Sequence, residues 1–135
     1  MALSKDRLTD VRDGMPFPFP VAADAVIHAG ALVALAAGYA APGEAATGLV
    51  AVGRAEEPVD NTGGDDGDKT VNVMPGIFKW ANSADADEIT QAEVGTVCYI
   101  VDDCTVAKTN GTSSRSVAGV VVGVDADGVL VKSGL

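Results

Sequence analysis

The residues of this chain that could do chemistry are few and scattered. Asp102 and Asp103 form a carboxylate pair of the kind that can share general acid–base work. Neighbours on a strand point to opposite faces, however, so the pair reads better as a turn in which an Asp caps its own backbone. His28 is the only histidine, and no second His or Cys stands near it in sequence to complete a metal site. A hydrolase using His28, Asp102 or Asp103 would need these side chains together, and no spacing joins them. Cys98 and Cys104 are close enough for a disulfide, but two reduced thiols are the simpler expectation.

Two acidic stretches invite a calcium reading. Asn61 to Asp68 holds three glycines and three aspartates, but lacks the oxygen-ligand spacing and closing Glu of a calcium loop. It reads as a mobile, solvated loop. No Lys-Ser or Lys-Thr follows its glycines, so it is not a phosphate loop either. Asp125-Ala126-Asp127-Gly128 resembles half a calcium loop and reads as a hairpin turn. No catalytic residue, metal ligand or cofactor-binding residue is therefore expected.

Composition narrows the classes further. The 135 residues suffice for one domain. Hydrophobic residues make up 47% of the chain and aromatics only 4%, so the core must be built largely from Ala and Val. Small side chains bury little area each, which fits a domain that gains stability on assembly. Nineteen acidic residues face nine basic ones, for a net charge of -10. Such a surface lacks the basic footprint of a nucleic-acid binder and is repelled by an anionic membrane. Residues 21–47 are Ala-rich, but Asp24, His28, Gly30, Gly38 and Pro42 break the run well short of a membrane span. No apolar core follows the first basic residues, so no secretory signal is expected.

The elements that must carry these residues are short strands. The organising stretch runs from Gly95 to Lys132, where Val97–Val101, Val117–Val124 and Val129–Val131 are apolar runs between polar turns. Further strands are expected over Ala25–Ala29, Ala31–Ala36, Gly48–Arg54 and Thr70–Met74. Pro75-Gly76 reads as a turn leading into a return strand, Ile77–Asn82, with Phe78 and Trp80 on one face and Ile77 and Lys79 on the other. Thr90-Gln91-Ala92-Glu93 matches a capping box, which places one helical turn at Ile89–Val94. Asn110-Gly111 suits a type I′ turn. No repeat of 20 to 50 residues occurs. The fold class expected is all-β: a small single-domain sandwich or barrel of short strands with at most one helical turn.

Residues 1–20 read as an extended amino-terminal arm, and residues 21–135 as the β-domain. The arm ends in Pro16-Phe17-Pro18-Phe19-Pro20, which forbids a helix. Its Phe residues either pack on their own domain or dock on a neighbouring subunit. The candidate protein-interface residues are Arg12, Met15, Phe17 and Phe19. Trp80 is expected in the core; were it exposed with Tyr39 and Tyr99, a carbohydrate- or host-surface-binding module would be the alternative.

The blocks HAGALVALAAGYAAPG, GLVAVGRAEEPVDNTGG, VMPGIFKWANS, VGTVCYIVDDCTVA and SVAGVVVGVDADGVLV resemble, in order and spacing, the small capsid decoration (cement) proteins of tailed bacteriophages. The likeness covers the chain from about Ala22 onward. Its most telling parts are the Gly53-Arg54-Ala55 turn, the Val59-Asp60-Asn61 step and the run from Cys98 to Asp103. The resemblance implies a non-enzymatic structural protein without catalytic residues. It implies binding to the major capsid protein on the outer face of an expanded head, commonly as a homotrimer, after synthesis in the bacterial cytoplasm.

Overall fold

In the computed structural model, which describes residues 2, 4–8 and 16–134, the protein is nearly all β. Its strands are β1 (Phe17–Pro20), β2 (Val26–Ile27), β3 (Leu32–Ala36), β4 (Tyr39–Pro42), β5 (Val50–Ala55), β6 (Val59–Asp60), β7 (Thr70–Met74), β8 (Gly76–Trp80), β9 (Val97–Ile100), β10 (Val106–Ala107), β11 (Val117–Asp125) and β12 (Gly128–Ser133). They form two five-stranded antiparallel sheets, ordered β1-β7-β5-β3-β4 and β10-β9-β11-β12-β8, and a ribbon of β2 with β6.

Each large sheet closes on itself. Val21, just past β1, makes a parallel bridge to Ala40 in β4, and Ala81, just past β8, makes one to Thr105 beside β10. The seams are tied by Ala22 N–H to the Ala40 carbonyl at 2.9 Å, and by Ala81 N–H to the Cys104 carbonyl at 2.8 Å. Closing so few strands into a barrel demands strong bending. Register shifts supply it, leaving Val52, Ala118 and Val122 as extra residues against their partner strands.

A narrow barrel has room for few large side chains, which accounts for the predominance of Ala and Val in the cores. The first barrel is filled by Val21, Ile27, Ala31, Val33, Ala40, Val52, Ala55, Val71 and Val73. The second holds Ile100, Val106, Val121, Val129, Val131, Trp80 and Ile89 among others. β3 is the wall between them. Leu32 and Ala34 belong to the second core, and Val33 between them to the first. A strand buried on both faces needs a continuous apolar run, which Ala31–Ala36 provides.

Several expectations are corrected. Within the segment read as an arm, Phe17–Pro20 form strand β1, paired with β7 in the register Phe17↔Val73 and Phe19↔Val71. Pro18 and Pro20 alternate with them, and a proline lacks the N–H a ladder needs, so only the two phenylalanines can donate to β7. Pro75-Gly76 does not close a hairpin: β7 lies in the first sheet and β8 pairs with β12 in the second. Gly53-Arg54-Ala55 is the bulged end of β5 rather than a turn. The Asn110-Gly111 turn is not type I′; the left-handed residues are Gly111, Thr112 and Ser113, at φ 62°, 61° and 62°. Ala25–Ala29 shrinks to the two residues of β2.

The capping box is present. Thr90 Oγ1 accepts from Ala92 N–H, and Glu93 accepts from Thr90 N–H at 2.8 Å, around a 3-10 turn at Gln91–Glu93. A second such turn spans Asp85–Asp87.

The loop expected to be mobile is stitched to the chain after β1. Asn61, 2% exposed, donates from Nδ2 to the Ala22 carbonyl at 2.9 Å and to the Asp65 carbonyl at 3.1 Å. Asp24 accepts from Gly63 N–H, Asp66 from Ala23 N–H, and Asp68 from Asp65 N–H. Asn61→Ala removes both side-chain bonds that tie the loop to the Ala22 and Asp65 carbonyls, which are part-buried, and is expected to cost about 1–2 kcal/mol. Urea denaturation measures the loss, and limited proteolysis of the native variant should show new cleavage within residues 61–68.

Candidate functional site

The fold brings together residues that the sequence leaves apart. His28, Ala29, Gly30, Ala31, Asp103 and Cys104 line one shallow cavity of about 240 Å³. The reason is tertiary: Leu32 N–H, at the start of β3, donates to the Asp103 carbonyl at 2.7 Å and draws the segment before β3 onto the 102–104 turn. Asp102, Asp103 and Cys104 offer ligand atoms within 4.8 Å of one another.

The chemistry of this cluster is subdued. Asp102 Oδ1 accepts from Cys104 N–H at 2.9 Å, which is the expected self-capping turn. Burial pushes the Asp102 carboxyl up, but the Cys104 N–H and other hydrogen bonds outweigh it and hold it below the usual range. At Cys104 the Thr105 hydroxyl favours the thiolate, yet the Asp102 contact, burial and the neighbouring carboxylate charges prevail and raise the thiol. That is the reverse of an activated cysteine. Among the described residues no hydrogen bond joins His28 to Asp103 or Cys104. Cys98 is a separate case. It lies inside the second barrel, unpaired, and burial pushes its thiol up to about 12.

The acidic stretches also resolve into structural parts. The carboxylates of Asp24, Asp60, Asp66 and Asp68 each accept from a backbone N–H of their own neighbourhood. Asp125 caps the β11–β12 turn, accepting from Asp127 N–H at 2.7 Å and Gly128 N–H at 3.1 Å, and pairs with Lys79 at 2.6 Å.

These bonds set the response to acid. The Thr62 hydroxyl holds Asp60 below the usual carboxylate range, Thr109 does so for Asp87, and Lys79 for Asp125. A depressed folded-state pKa contributes stability above the unfolded pKa and loses it as pH falls through the folded one. Urea midpoints measured from pH 7 downward are therefore expected to fall below about pH 4. Salt should weaken the ion-pair shares of that loss, Asp125 with Lys79 and Asp87 with Arg115, because ion pairs open to solvent are screened.

Of the four interface candidates, Arg12 and Met15 lie outside the described residues. Phe19 packs against the first core, and Phe17 stacks on it with ring centroids 5.1 Å apart, keeping 36% of its surface exposed. Trp80 is in the core, 4% exposed, as the sequence suggested.

The feature missed from sequence is a surface. Across the outside of the second barrel, Val97 on β9 pairs with Val120 on β11, Val120 with Lys132 on β12, and Lys132 with Ile77 on β8. Val97, Val120 and Ile77 are 43%, 37% and 58% exposed, with Val117 and Val122 also exposed on β11. One signal was legible: β11 is apolar at Val120, Val121 and Val122 in succession, whereas a strand with one wet face alternates. Elsewhere, no helix among the described residues is long and apolar enough to cross a membrane. No family model, curated protein or solved structure matches the chain.

Proposed function

We propose that this chain is a capsid decoration protein that binds the outer surface of an expanded phage head and clamps neighbouring major capsid subunits. The observation that carries the reading is the exposed band Val97–Val120–Lys132–Ile77, apolar at three of its four positions and laid across four adjacent strands. Exposed large apolar side chains gathered on one face of a sheet mark a surface that meets another protein. A concave site for a small molecule would need a different shape. The block resemblance supplies the kind of partner. A net charge of -10 suits the outside of a shell, away from packaged DNA. Assembly as a trimer belongs to the same reading.

Mixing the purified protein with expanded and unexpanded heads, then counting bound copies, tests it. Binding confined to expanded heads is expected, and Val120→Asp should abolish it while the fold persists. Equal binding to both forms, or to neither, overturns the proposal. The alternative of a sugar-binding module loses its main stacking residue, since Trp80 is buried.

A further inference from the structure

We propose that Asn110-Gly111 is a self-modifying site, at which the folded protein promotes conversion of Asn110 to isoaspartate and aspartate through a backbone succinimide. The chain has four asparagines, and only Asn110 precedes a glycine. The other three are fixed. Asn61 is buried and doubly hydrogen-bonded, Asn72 lies within β7, and Asn82 is held by both backbone groups of Ile89.

Around Asn110 the fold assembles the parts such a reaction needs. The nucleophile is the Gly111 nitrogen. Among the described residues its one hydrogen bond is a long one, 3.4 Å to Thr109 Oγ1. Thr109 Oγ1 in turn donates to Asp87 Oδ1, so an amide proton has a path through a hydroxyl to a carboxylate. The electrophile is the Asn110 side-chain carbonyl, whose Oδ1 accepts from Ser113 N–H at 3.2 Å. That N–H is placed to stabilise charge developing on the oxygen. Arg115 completes the setting. A Cβ built on Gly111 would lie 3.1 Å from Arg115 Cζ, so the guanidinium packs against Gly111, where a cation favours loss of the amide proton. Arg115 is held there by Asp87 at 3.2 Å and by the Thr109 carbonyl at 3.0 Å. Gly111 itself has no side chain to obstruct the attack.

The steps balance without an oxidant or reductant. Gly111 N bonds to Asn110 Cγ as its proton passes through Thr109 to Asp87. The bond from Cγ to Nδ2 then breaks, and the nitrogen takes up a proton and leaves as ammonia. Water opens the five-membered ring at either carbonyl. Opening at the main-chain carbonyl gives isoaspartate, and opening at the side-chain carbonyl gives aspartate. The isoaspartate product adds one backbone atom to a loop that now holds Thr112, a β-branched residue, at φ 61°. Such a residue is strained in the left-handed region, and a longer loop gives it room to relax.

Trypsin cuts after Lys108 and Arg115, so the site is recovered as the single peptide Thr109–Arg115. The native protein, the same protein in denaturant and the synthetic heptapeptide would be incubated side by side. Product at Asn110 would be followed by mass and by isoaspartyl methyltransferase labelling. The native protein should react faster than both controls. Thr109→Val should slow the native rate about tenfold, below the usual reach of a positioned acid or base because a carboxylate is a weak base. Thr109→Ser should restore it. In denaturant all three sequences should react alike, which separates loss of the relay from a change in the peptide's own reactivity. A native rate at or below that of the heptapeptide overturns the proposal, as does a Thr109→Val protein that keeps the native rate.

Discussion

Trp80→Ala is expected to be the most damaging single truncation in the chain, costing about 3–5 kcal/mol. Trp80 is the only tryptophan and the largest side chain in a core otherwise made of aliphatic ones and Cys98. Its neighbours cannot collapse into the space, because they are strand residues pinned by a closed ladder. Two further losses add to the cavity. Trp80 Nε1 donates to Ser133 Oγ at 3.3 Å, and Ser133 is itself 1% exposed, so its hydroxyl is stranded when the indole goes. Trp80 also supports Phe78, 5.9 Å away between centroids, on whose ring the Arg54 guanidinium sits at 4.7 Å. Removing the indole therefore loosens the link between β8 and β5. Since the fluorescent reporter disappears with the mutation, urea unfolding should be followed by far-UV circular dichroism. Trp80→Phe, which keeps one aromatic ring but loses the donor and part of the buried volume, should cost clearly less. Equal stability of Trp80→Ala and the parent would mean that the second core is not organised around this residue.

Gly53→Ala is expected to cost about as much, by the opposite mechanism. A Cβ at Gly53 would stand 2.3 Å from the Met74 carbonyl oxygen and 2.8 Å from its carbon. Those atoms are backbone, at the point where the chain leaves β7 for Pro75 and crosses to the second barrel. They cannot rotate away as a side chain would. The backbone of Gly53 also lies at φ 132°, outside the range of other residues. Overpacking and backbone strain together suggest about 3–5 kcal/mol. Gly48→Ala is the matched control. Gly48 has a positive φ of 76° but nothing within 4 Å of a built Cβ, so only the conformational cost of about 1–2 kcal/mol remains. The difference between the two urea midpoints gives the cost of the Met74 clash together with the less accessible φ at Gly53. Equal losses would show that Met74 yields and that the crossing is not fixed.

These two positions also show what could be read in advance. A lone Trp favours a core or half-core place, and Phe78 and Trp80 share one face of their strand because a period of two survives any tertiary arrangement. β7, the capping box at Thr90 and the Asp125–Gly128 turn were legible for the same reason: each is decided within a few residues. Gly53 was not, because its glycine is required by Met74, which is distant in sequence. Pro75-Gly76 bends the chain as expected, but a bend does not say whether the strands on either side pair. The two-residue strands β2 and β6 carry no periodicity at all. The proximity of His28 to Asp103 depends on one long-range hydrogen bond from Leu32. The apolar band is spread over four strands, so no single segment displays it.

Barrel closure has a dynamic consequence. Each barrel is laddered all round except at one seam, where a single parallel bridge joins Val21 to Ala40 or Ala81 to Thr105. Thermal breathing should begin there, and the amide protons of Ala22, Ala81 and Val106 should exchange with solvent before those of β11 and β12. When the first seam opens, β1 is paired along one edge only, to β7, while the chain after it stays tied to the 61–68 loop. A strand held so lightly is free to trade places with the same strand of a second molecule, so crowded copies would exchange amino-terminal strands while the second barrel stays shut.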